Sequence, residues 1–450
     1  MARIFGTDGV RGVANADLTP ELAFALGRAG AAVLTAAGDP NKPIVVGRDT
    51  RLSGTMLEAA VVAGIASTGR DTLSVGVVPT PGVARITALV EAAAGVMISA
   101  SHNPIEDNGI KFFGPDGYKL SDAQERAIEA AVEDPAGLPR ATHRDVGIAR
   151  AAHGLSDRYF ATLVEGGADL SSLTVVVDAA FGAAYAVGPR AFTRLGAAVD
   201  AIHAQDDGAR INVACGSTDL STLAARVREL AAQRPHAHVL GVAFDGDADR
   251  ALFVDETGAT IDGDCVMLVL AREKKRRGAL CGDTVVGTVM SNIGLERALR
   301  TEGIALARAA VGDRYVLERL RADGLTFGGE QSGHIIDLER NTTGDGPGTA
   351  VALLSIVARE RTTLRELVSA LHVAPQILLN VRVARKDVLE GAAVREAIAR
   401  VERELGVDGR ILVRRSGTEP LIRVMIEGDD RARIDRLAND VAETVRLAAQ

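Results

Sequence analysis

Tryptophan is absent from the 450-residue chain, and aromatic residues make up only 3% of it. Stacking platforms for single-stranded nucleic acid or carbohydrate polymers are therefore not expected, and the cores must be aliphatic. Cysteine is nearly as scarce. Cys215, Cys265 and Cys281 lie far apart with no CxxC or Cys/His spacing, and an odd count argues against a secreted disulfide framework. Excess positive charge is also missing: 51 Lys plus Arg against 59 Asp plus Glu give a net of −8, which leaves nothing to hold a long polyanion. No nucleic-acid partner is expected. The chain has no uncharged apolar run of about 18 residues, so no membrane span is expected, and the opening MARIFGTDGVRG lacks the apolar stretch of about 7–15 residues that a secretory signal needs. A cytoplasmic location follows as an expectation. Walker A, GxGxxG and GxSxG patterns do not occur, so neither nucleotide binding nor acyl transfer has support. Lysine supplies only 6 of the 51 cations, which makes each one worth locating.

What is present is a repeated alternation of helix and strand patterns. Length alone predicts about three domains at roughly 150 residues each. From Thr19 and Pro20, which read as a helix start, the chain alternates an Ala/Leu-rich helix, strand PIVVGRD, helix 53–67, strand TLSVGVV, helix 82–92 and strand GVMIS. This is the signature of α/β layers on a largely parallel sheet. After a Pro/Gly-interrupted stretch at 135–154, a second series runs through LTVVVDAA, helix 183–195, AAVDAIH, helix 218–233 and HVLGVAF. A third runs through TVVGTVM, helix 294–302, IALARAA, helix 313–323 and LTFGG. Each series ends in a polar loop at a strand's carboxyl end, where open α/β sheets bind ligands: ASHNP, DGDADR and EQSGH. From about Pro375 a smaller α+β unit follows, with helix 387–405 and loop RSGTEP between strands RILVRR and LIRVMIE. The expected domains are thus 1–150, 151–254, 255–372 and 373–450, each carrying one chemically loaded loop.

The loop DGDADR places Asp245, Asp247 and Asp249 at alternate positions after a strand, a spacing that suits one hard divalent cation. An EF-hand also fits Asp245, Asp247, Asp249 and Glu256 at loop positions 1, 3, 5 and 12, but Arg250 stands where that loop needs glycine, and the flanks read as strands. The remaining alternative is a solvated acidic turn. Ser101 of ASHNP, beside His102, is weak as a nucleophile on its own. Next to a carboxylate-held Mg²⁺ it suits phosphoryl transfer, with the hydroxyl accepting and donating the group. Lys111, in GIKFFG, reads either as a partly buried proton carrier of lowered pKa or as a surface lysine. Glu330, Ser332 and His334, among glycines, suit sugar hydroxyls. Arg414, Ser416, Gly417, Thr418 and Arg423 around a glycine turn suit a phosphate dianion. Arg11, Arg48 and Arg51 either bind anions or tie loops together.

Taken in order after FGTDGVRG, the loops ASHNP, DGDADR, GEQSGH and RSGTEP resemble those of the α-D-phosphohexomutase superfamily, over essentially the whole chain. The resemblance implies three similar α/β domains with mixed sheets, a smaller C-terminal α+β domain, and the four loops meeting at a central cleft. It implies that Ser101 is a phosphoserine that gives and receives the phosphoryl group. Asp245, Asp247 and Asp249, with a Ser101 phosphate oxygen, would hold Mg²⁺. Lys111 matches the general acid/base and His334 a second one; Glu330 and Ser332 match sugar-hydroxyl ligands, Arg414, Ser416, Gly417, Thr418 and Arg423 the phosphate loop, and Arg11 and Arg250 cleft arginines. Within the superfamily the motifs resemble the group that interconverts glucosamine 6-phosphate and glucosamine 1-phosphate through glucosamine 1,6-bisphosphate, for UDP-N-acetylglucosamine synthesis. Relatives are often dimers, which allows a homodimer. Alternatives are a mutase of the same fold acting on mannose or glucose phosphates, a phosphatase with Ser101 as nucleophile, and a non-catalytic phosphosugar sensor. The sequence departs from the family pattern at Ala248, usually glycine, and at Arg415, often lysine or proline.

Overall fold

The computed structural model describes residues 4–6, 8–36, 39, 41–383, 385, 387–415 and 420–449. These fall into two compact units: residues up to 288 together with 309–368, and residues 289–308 together with those from 369 onward.

Helix starts in the first unit follow the capping residues. Thr19 accepts the Leu22 N–H at 3.2 Å ahead of helix Pro20–Leu34, whose first position is a proline that has no N–H to satisfy. Ser121 and Gln124 form a reciprocal capping box ahead of Asp122–Glu133, and Asp262 and Asp345 cap Gly263–Arg276 and Gly346–Glu360. Strands Ala94–Ile98 and Leu173–Asp178 are buried at every position, as continuous apolar runs in sheets covered on both faces must be. Four helix starts differ from expectation, one of them in the second unit, where the helix expected from 387 begins at Ala392 after a separate 3-10 turn at Asp387–Glu390. The helix expected from residue 82 begins at Thr80, while those expected from 183 and 218 begin at Val187 and Ser221, after irregular turns.

The sheets are mixed. In the first, the order is Val10–Val13, Asp107–Phe113, Ala94–Ile98, Ile44–Arg48, Thr72–Val77 and Ala149–Ala151, and the strands Val10–Val13 and Asp107–Phe113 supply the antiparallel pairs. In the second, Ala251–Val254 returns antiparallel along His238–Phe244, which is itself parallel to Leu173–Asp178. In a third, Ile335–Asp337 returns antiparallel along Phe327–Gly329. A short returning strand thus turns each loaded loop into the bend of an antiparallel pair. Segments 99–106, 245–250 and 330–334 are held at both ends by ladder hydrogen bonds, which fixes their side chains more closely than an open strand-to-helix loop would.

The second unit packs helices Ala392–Leu405 and Arg431–Ala448 on the antiparallel sheet Gln376–Arg382, Leu421–Gly428, Gly409–Arg415. Its core is aliphatic, with Val381, Val401, Ile422, Val424, Ile434 and Val441 all buried. Among the described residues no helix is long and apolar enough to cross a membrane.

Candidate functional site

Ser101 lies just past strand Ala94–Ile98 and is 1% exposed, with a left-handed backbone at φ 53° that a non-glycine residue adopts only when its surroundings impose it. The surroundings are polar and specific. Arg51, fully buried, donates to Asp49 at 3.1 Å and to four backbone carbonyls of the loop: Ser101 at 2.9 Å, Asn103 at 2.8 Å, Pro104 at 2.5 Å and Asp107 at 2.9 Å. Ser99 donates to Asp49 at 2.5 Å, and its oxygen accepts the Ser101 N–H at 3.0 Å. Arg51 therefore ties loops, as does Arg48, which is bonded to Glu58 at 3.0 Å. Held this way, the Ser101 hydroxyl donates to Asp245 Oδ2 at 2.6 Å, and His102 Nδ1 lies 3.3 Å from the same hydroxyl.

Asp245, Asp247 and Asp249 are all buried, and one ligand-type oxygen from each lies within 4.8 Å of the others. A solvated acidic turn is thereby excluded, and strands on both flanks exclude the EF-hand. Ala248 adopts φ 56°, the conformation that makes glycine usual there; its N–H bonds Asp245 O at 3.0 Å and its carbonyl accepts the Gly346 N–H at 3.1 Å, so the loop closes without glycine. Asp247 Oδ1 and Asp249 Oδ1 are buried without any hydrogen-bond partner. Unpartnered buried carboxylate oxygens facing one another are unfavourable unless a cation joins them, and an all-oxygen donor set suits Mg²⁺. The residues present fit the ion that the resemblance implies.

Lys111, on strand Asp107–Phe113, is 2% exposed, so it is no surface lysine. Its Nζ lies 2.8 Å from Asp247 Oδ2 and 2.8 Å from Asp8 Oδ2. Thr80 also donates to Asp247 Oδ2, at 2.6 Å. Asp8 in turn takes Arg11 at 2.5 Å and Lys119 at 2.6 Å, and Lys119 pairs with Asp313. His334 Nε2 lies 3.6 Å from both Asp313 and Asp249, and neither ring nitrogen has a hydrogen-bond partner. A continuous line of charge thus joins Lys111 to His334 around the aspartates. Glu330 accepts the Gly312 N–H at 3.0 Å, and the Ser332 hydroxyl is buried without a partner. Arg250 donates its backbone N–H to Asp245 at 3.2 Å and bridges His334 through the backbone, while Arg11 reaches Asn103 at 3.2 Å.

Electrostatics corrects one expectation. Burial opposes the charge on Lys111, but Asp247, Asp8 and Asp249 outweigh it and raise the pKa instead of lowering it. Lys111 is therefore held in its charged form. Burial alone would raise Asp247; Lys111 and the Thr80 hydroxyl overturn this and hold it below the usual carboxylate range. Asp245 is pushed well above that range by burial and by Asp249 and Asp247, and Asp249 is raised by burial and Asp247. His102 is pushed down to about 4, by burial first and then by Arg250 and Arg11. Within a chain of net charge −8, Arg11, Lys111 and Arg250 thus stand among the buried carboxylates of this site.

In the second unit, Arg414 and Arg423 are directly opposite one another on paired strands, and burial followed by Arg423 lowers the pKa of Arg414. Like charges directly opposite one another on a ladder are destabilising. Arg415 points elsewhere, to Glu390 at 2.6 Å. Ser416, Gly417 and Thr418 lie outside the described residues.

Sequence reasoning missed Asp8, Thr80, Lys119 and Asp313; Asp8 lies in FGTDGVRG, from which only Arg11 was taken, and the other three lie outside the quoted motifs. A second group, Asp178, His203 and Cys215, also brings ligand-type atoms within 4.8 Å. Its carboxylate is already occupied: Asp178 accepts the Ala180 N–H at 2.9 Å and the Gly216 N–H at 3.0 Å, and burial pushes the Cys215 thiol up to about 12. It orders a loop.

Comparison with known proteins places this geometry. Four family models match along the chain: phosphoglucomutase/phosphomannomutase alpha/beta/alpha domain I at residues 2–136, domain II at 157–258, domain III at 262–373 and the C-terminal domain at 378–444. A phosphoglucosamine mutase of Desulforamulus reducens is 52% identical over 99% of both chains. The chain belongs to the phosphoglucosamine mutase family. Solved structures agree with this family's fold. A phosphoglucomutase/phosphomannomutase family protein of Burkholderia thailandensis superposes with a TM-score of 0.83 at 26% identity, covering 99% of this chain and 97% of that one. An Aspergillus fumigatus N-acetylphosphoglucosamine mutase, solved with GlcNAc-6P and magnesium, gives 0.64 at 17% identity over 99% and 96% and shares the fold.

Proposed function

We propose that the protein is an isomerase that interconverts glucosamine 6-phosphate and glucosamine 1-phosphate through phosphorylated Ser101. The observation that carries this is the Ser101 hydroxyl 2.6 Å from Asp245, inside a buried group of three carboxylates, in a chain about half identical over its whole length to phosphoglucosamine mutases. In the forward step the bond between phosphorus and Ser101 Oγ breaks as one to the free sugar hydroxyl forms, giving glucosamine 1,6-bisphosphate. The hydroxyl loses a proton and the departing serine oxygen gains one. Lys111, held charged between Asp247 and Asp8, is the proton source, and His334, with both ring nitrogens free of hydrogen bonds, is the group able to take one. Turned end for end, the bisphosphate returns its other phosphoryl group to Ser101. Asp245, Asp247 and Asp249, with a Ser101 phosphate oxygen, would hold Mg²⁺, which when bound neutralises charge on the transferring group.

Arg11 and Arg250 supply positive potential beside Ser101, and Glu330 and Ser332 are proposed to bind the sugar hydroxyls. Arg414, Ser416, Gly417, Thr418 and Arg423 are proposed to hold the phosphate that is not being transferred. The cytoplasm is the proposed location, in keeping with cysteines that are all free. Ser101→Ala should abolish turnover of glucosamine 1-phosphate and the acid-stable phosphate detected by intact mass. A variant that still isomerises would overturn the reading. Release of inorganic phosphate without isomer by the unaltered protein would point to a phosphatase, and faster turnover of mannose or glucose phosphates to the alternative mutases.

A further inference from the structure

Ser101 and Asp245 belong to different sheets, yet their oxygens must meet to within a few tenths of an ångström. Something must fix one sheet's loop against the other's. The Ser101 carbonyl oxygen is where this happens. From its own side it accepts Arg51 Nη2 at 2.9 Å; from the side of the metal loop it accepts Asn212 Nδ2 at 2.8 Å, and Asn212 also reaches Asn103 O at 3.4 Å. Gly246, between Asp245 and Asp247, completes the seat: a methyl group there would lie 2.6 Å from Ser101 O and 2.8 Å from Asn212 Nδ2.

Asn212 is itself placed by an unusual backbone. Ala180, Phe181, His203, Asn212 and Ala214 all have positive φ, and Gly216 does too. Left-handed conformations cost non-glycine residues roughly 1–2 kcal/mol each, and such strain persists only where the surroundings over-determine it. Here they do. Asp178 takes the Ala180 and Gly216 N–H groups and lies 3.1 Å from His203 Nδ1; Asn212 N–H bonds Ala180 O at 3.0 Å; Arg210 stacks on Phe181 at 4.2 Å; and Thr50, next to Arg51, donates to Phe181 O at 2.5 Å. The strained loop and the Arg51 scaffold are thus built against one another, and what they present in common is the grip on Ser101.

We infer that Asn212 is a positioning residue for phosphoryl transfer: with Arg51 it clamps the Ser101 carbonyl across two sheets and thereby holds Ser101 Oγ in register with the aspartates. This rests on the reading of Ser101 as the phosphoryl carrier. Asn212 touches neither the aspartates nor the hydroxyl of Ser101; it acts through the backbone.

The test is single-turnover transfer from phosphorylated Ser101 to glucosamine 6-phosphate, normalised to the phosphorylated fraction measured by intact mass. Asn212→Gly keeps the left-handed backbone without strain and removes the side-chain amide with its donor. A displacement on the order of 1 Å costs about 10²-fold in rate, so the transfer rate should fall about 10- to 100-fold. KM for the sugar phosphate should stay within about twofold and the thermal midpoint within a few degrees, because no substrate contact and little packing are lost. Asn212→Asp, which sets a carboxylate against two carbonyl oxygens, should lose at least as much. A purely structural role would lower the midpoint and leave the normalised transfer rate alone; transfer at the wild-type rate by Asn212→Gly would overturn the inference. Ser101→Ala, run alongside, separates the two claims: if it still transfers, the phosphoserine reading fails, and if it is dead while Asn212→Gly is normal, only the clamp fails.

Discussion

Replacing Lys111 by methionine tests the charge arrangement at its most exposed point of logic. Methionine fills most of the lysine stem but supplies no charge. Asp247, fully buried, would keep the Thr80 hydroxyl while losing an ammonium 2.8 Å away, and Asp8 would lose the same partner. Breaking a buried ion pair by removing one partner costs about 3–5 kcal/mol. Protonation offers Asp247 an escape and caps that cost. Taking up a proton at pH 7 against an ordinary pKa of about 3.9 costs about 4 kcal/mol, at about 1.4 kcal/mol per unit. The expected loss is therefore about 3–4 kcal/mol at neutral pH. The pH dependence follows in sign. In the wild type the depressed pKa of Asp247 contributes stability above the unfolded value and loses it only as pH falls through the lower folded value. The raised pKa of Lys111 contributes fully below about 10.4 and is lost only as pH rises beyond that. In the variant Asp247 binds its proton early, so the gap should shrink by up to about 1.4 kcal/mol per unit toward pH 4. Urea unfolding in EDTA, followed by circular dichroism because no tryptophan is present, measures the gap at pH 7.5 and pH 5. In the same variant kcat should fall about 10²- to 10⁴-fold, as for loss of a general acid. A gap under about 1 kcal/mol at pH 7.5, one that does not narrow on acidification, or a kcat within about threefold of wild type would refute the arrangement.

Two further predictions follow from the metal loop. Ala248→Gly should leave the ligands in place and raise the unfolding free energy by about 0.5–1 kcal/mol, since relief of the left-handed penalty exceeds the extra chain entropy of glycine; an unchanged or lowered value in urea unfolding would contradict the backbone assignment. Protons compete for Asp245 and Asp249 above the ordinary carboxylate range, because both are raised. Mg²⁺ affinity measured by calorimetry should therefore weaken on acidification from pH 8 to pH 5, while the metal-free protein gains stability over the same interval as these groups are neutralised. A flat affinity would count against the three aspartates as the ligands.

Ser101, the three aspartates, Glu330 and His334 were legible because each lies in a short polar loop at the end of a buried apolar run, and the rule for carboxyl ends of strands then says where to look. The returning strands were harder. Ile335–Asp337 has three residues and Ala251–Val254 four, too short for an alternating pattern to separate parallel from mixed sheets. Lys111 shows the deeper limit: GIKFFG reveals burial, and burial alone lowers a lysine pKa, but the counter-charges come from Asp8 and Asp247, 103 and 136 positions away along the chain. Lys119 and Asp313 were invisible for the same reason, the latter at a helix start, because only the folded contacts bring them to the candidate site. Asn212 left no trace at all, since nothing in its neighbours announces a left-handed backbone.

Five of the six lysines lie among the described residues, and these five bear on how the protein can be handled. Amine-reactive reagents attack the uncharged amine, and a raised pKa inside a buried ion-pair network leaves almost none of it at Lys111 or Lys119. Lys274 is closed off by Asp337 and Glu339, whereas the side chains of Lys42 and Lys275 are 41% and 33% exposed. Acylating dyes or an activated resin will therefore couple to Lys42 and Lys275 ahead of Lys111 and Lys119. Among the described lysines, coupling through Lys42 or Lys275 leaves Lys111 and Lys119 unreacted, because those two amines are already occupied.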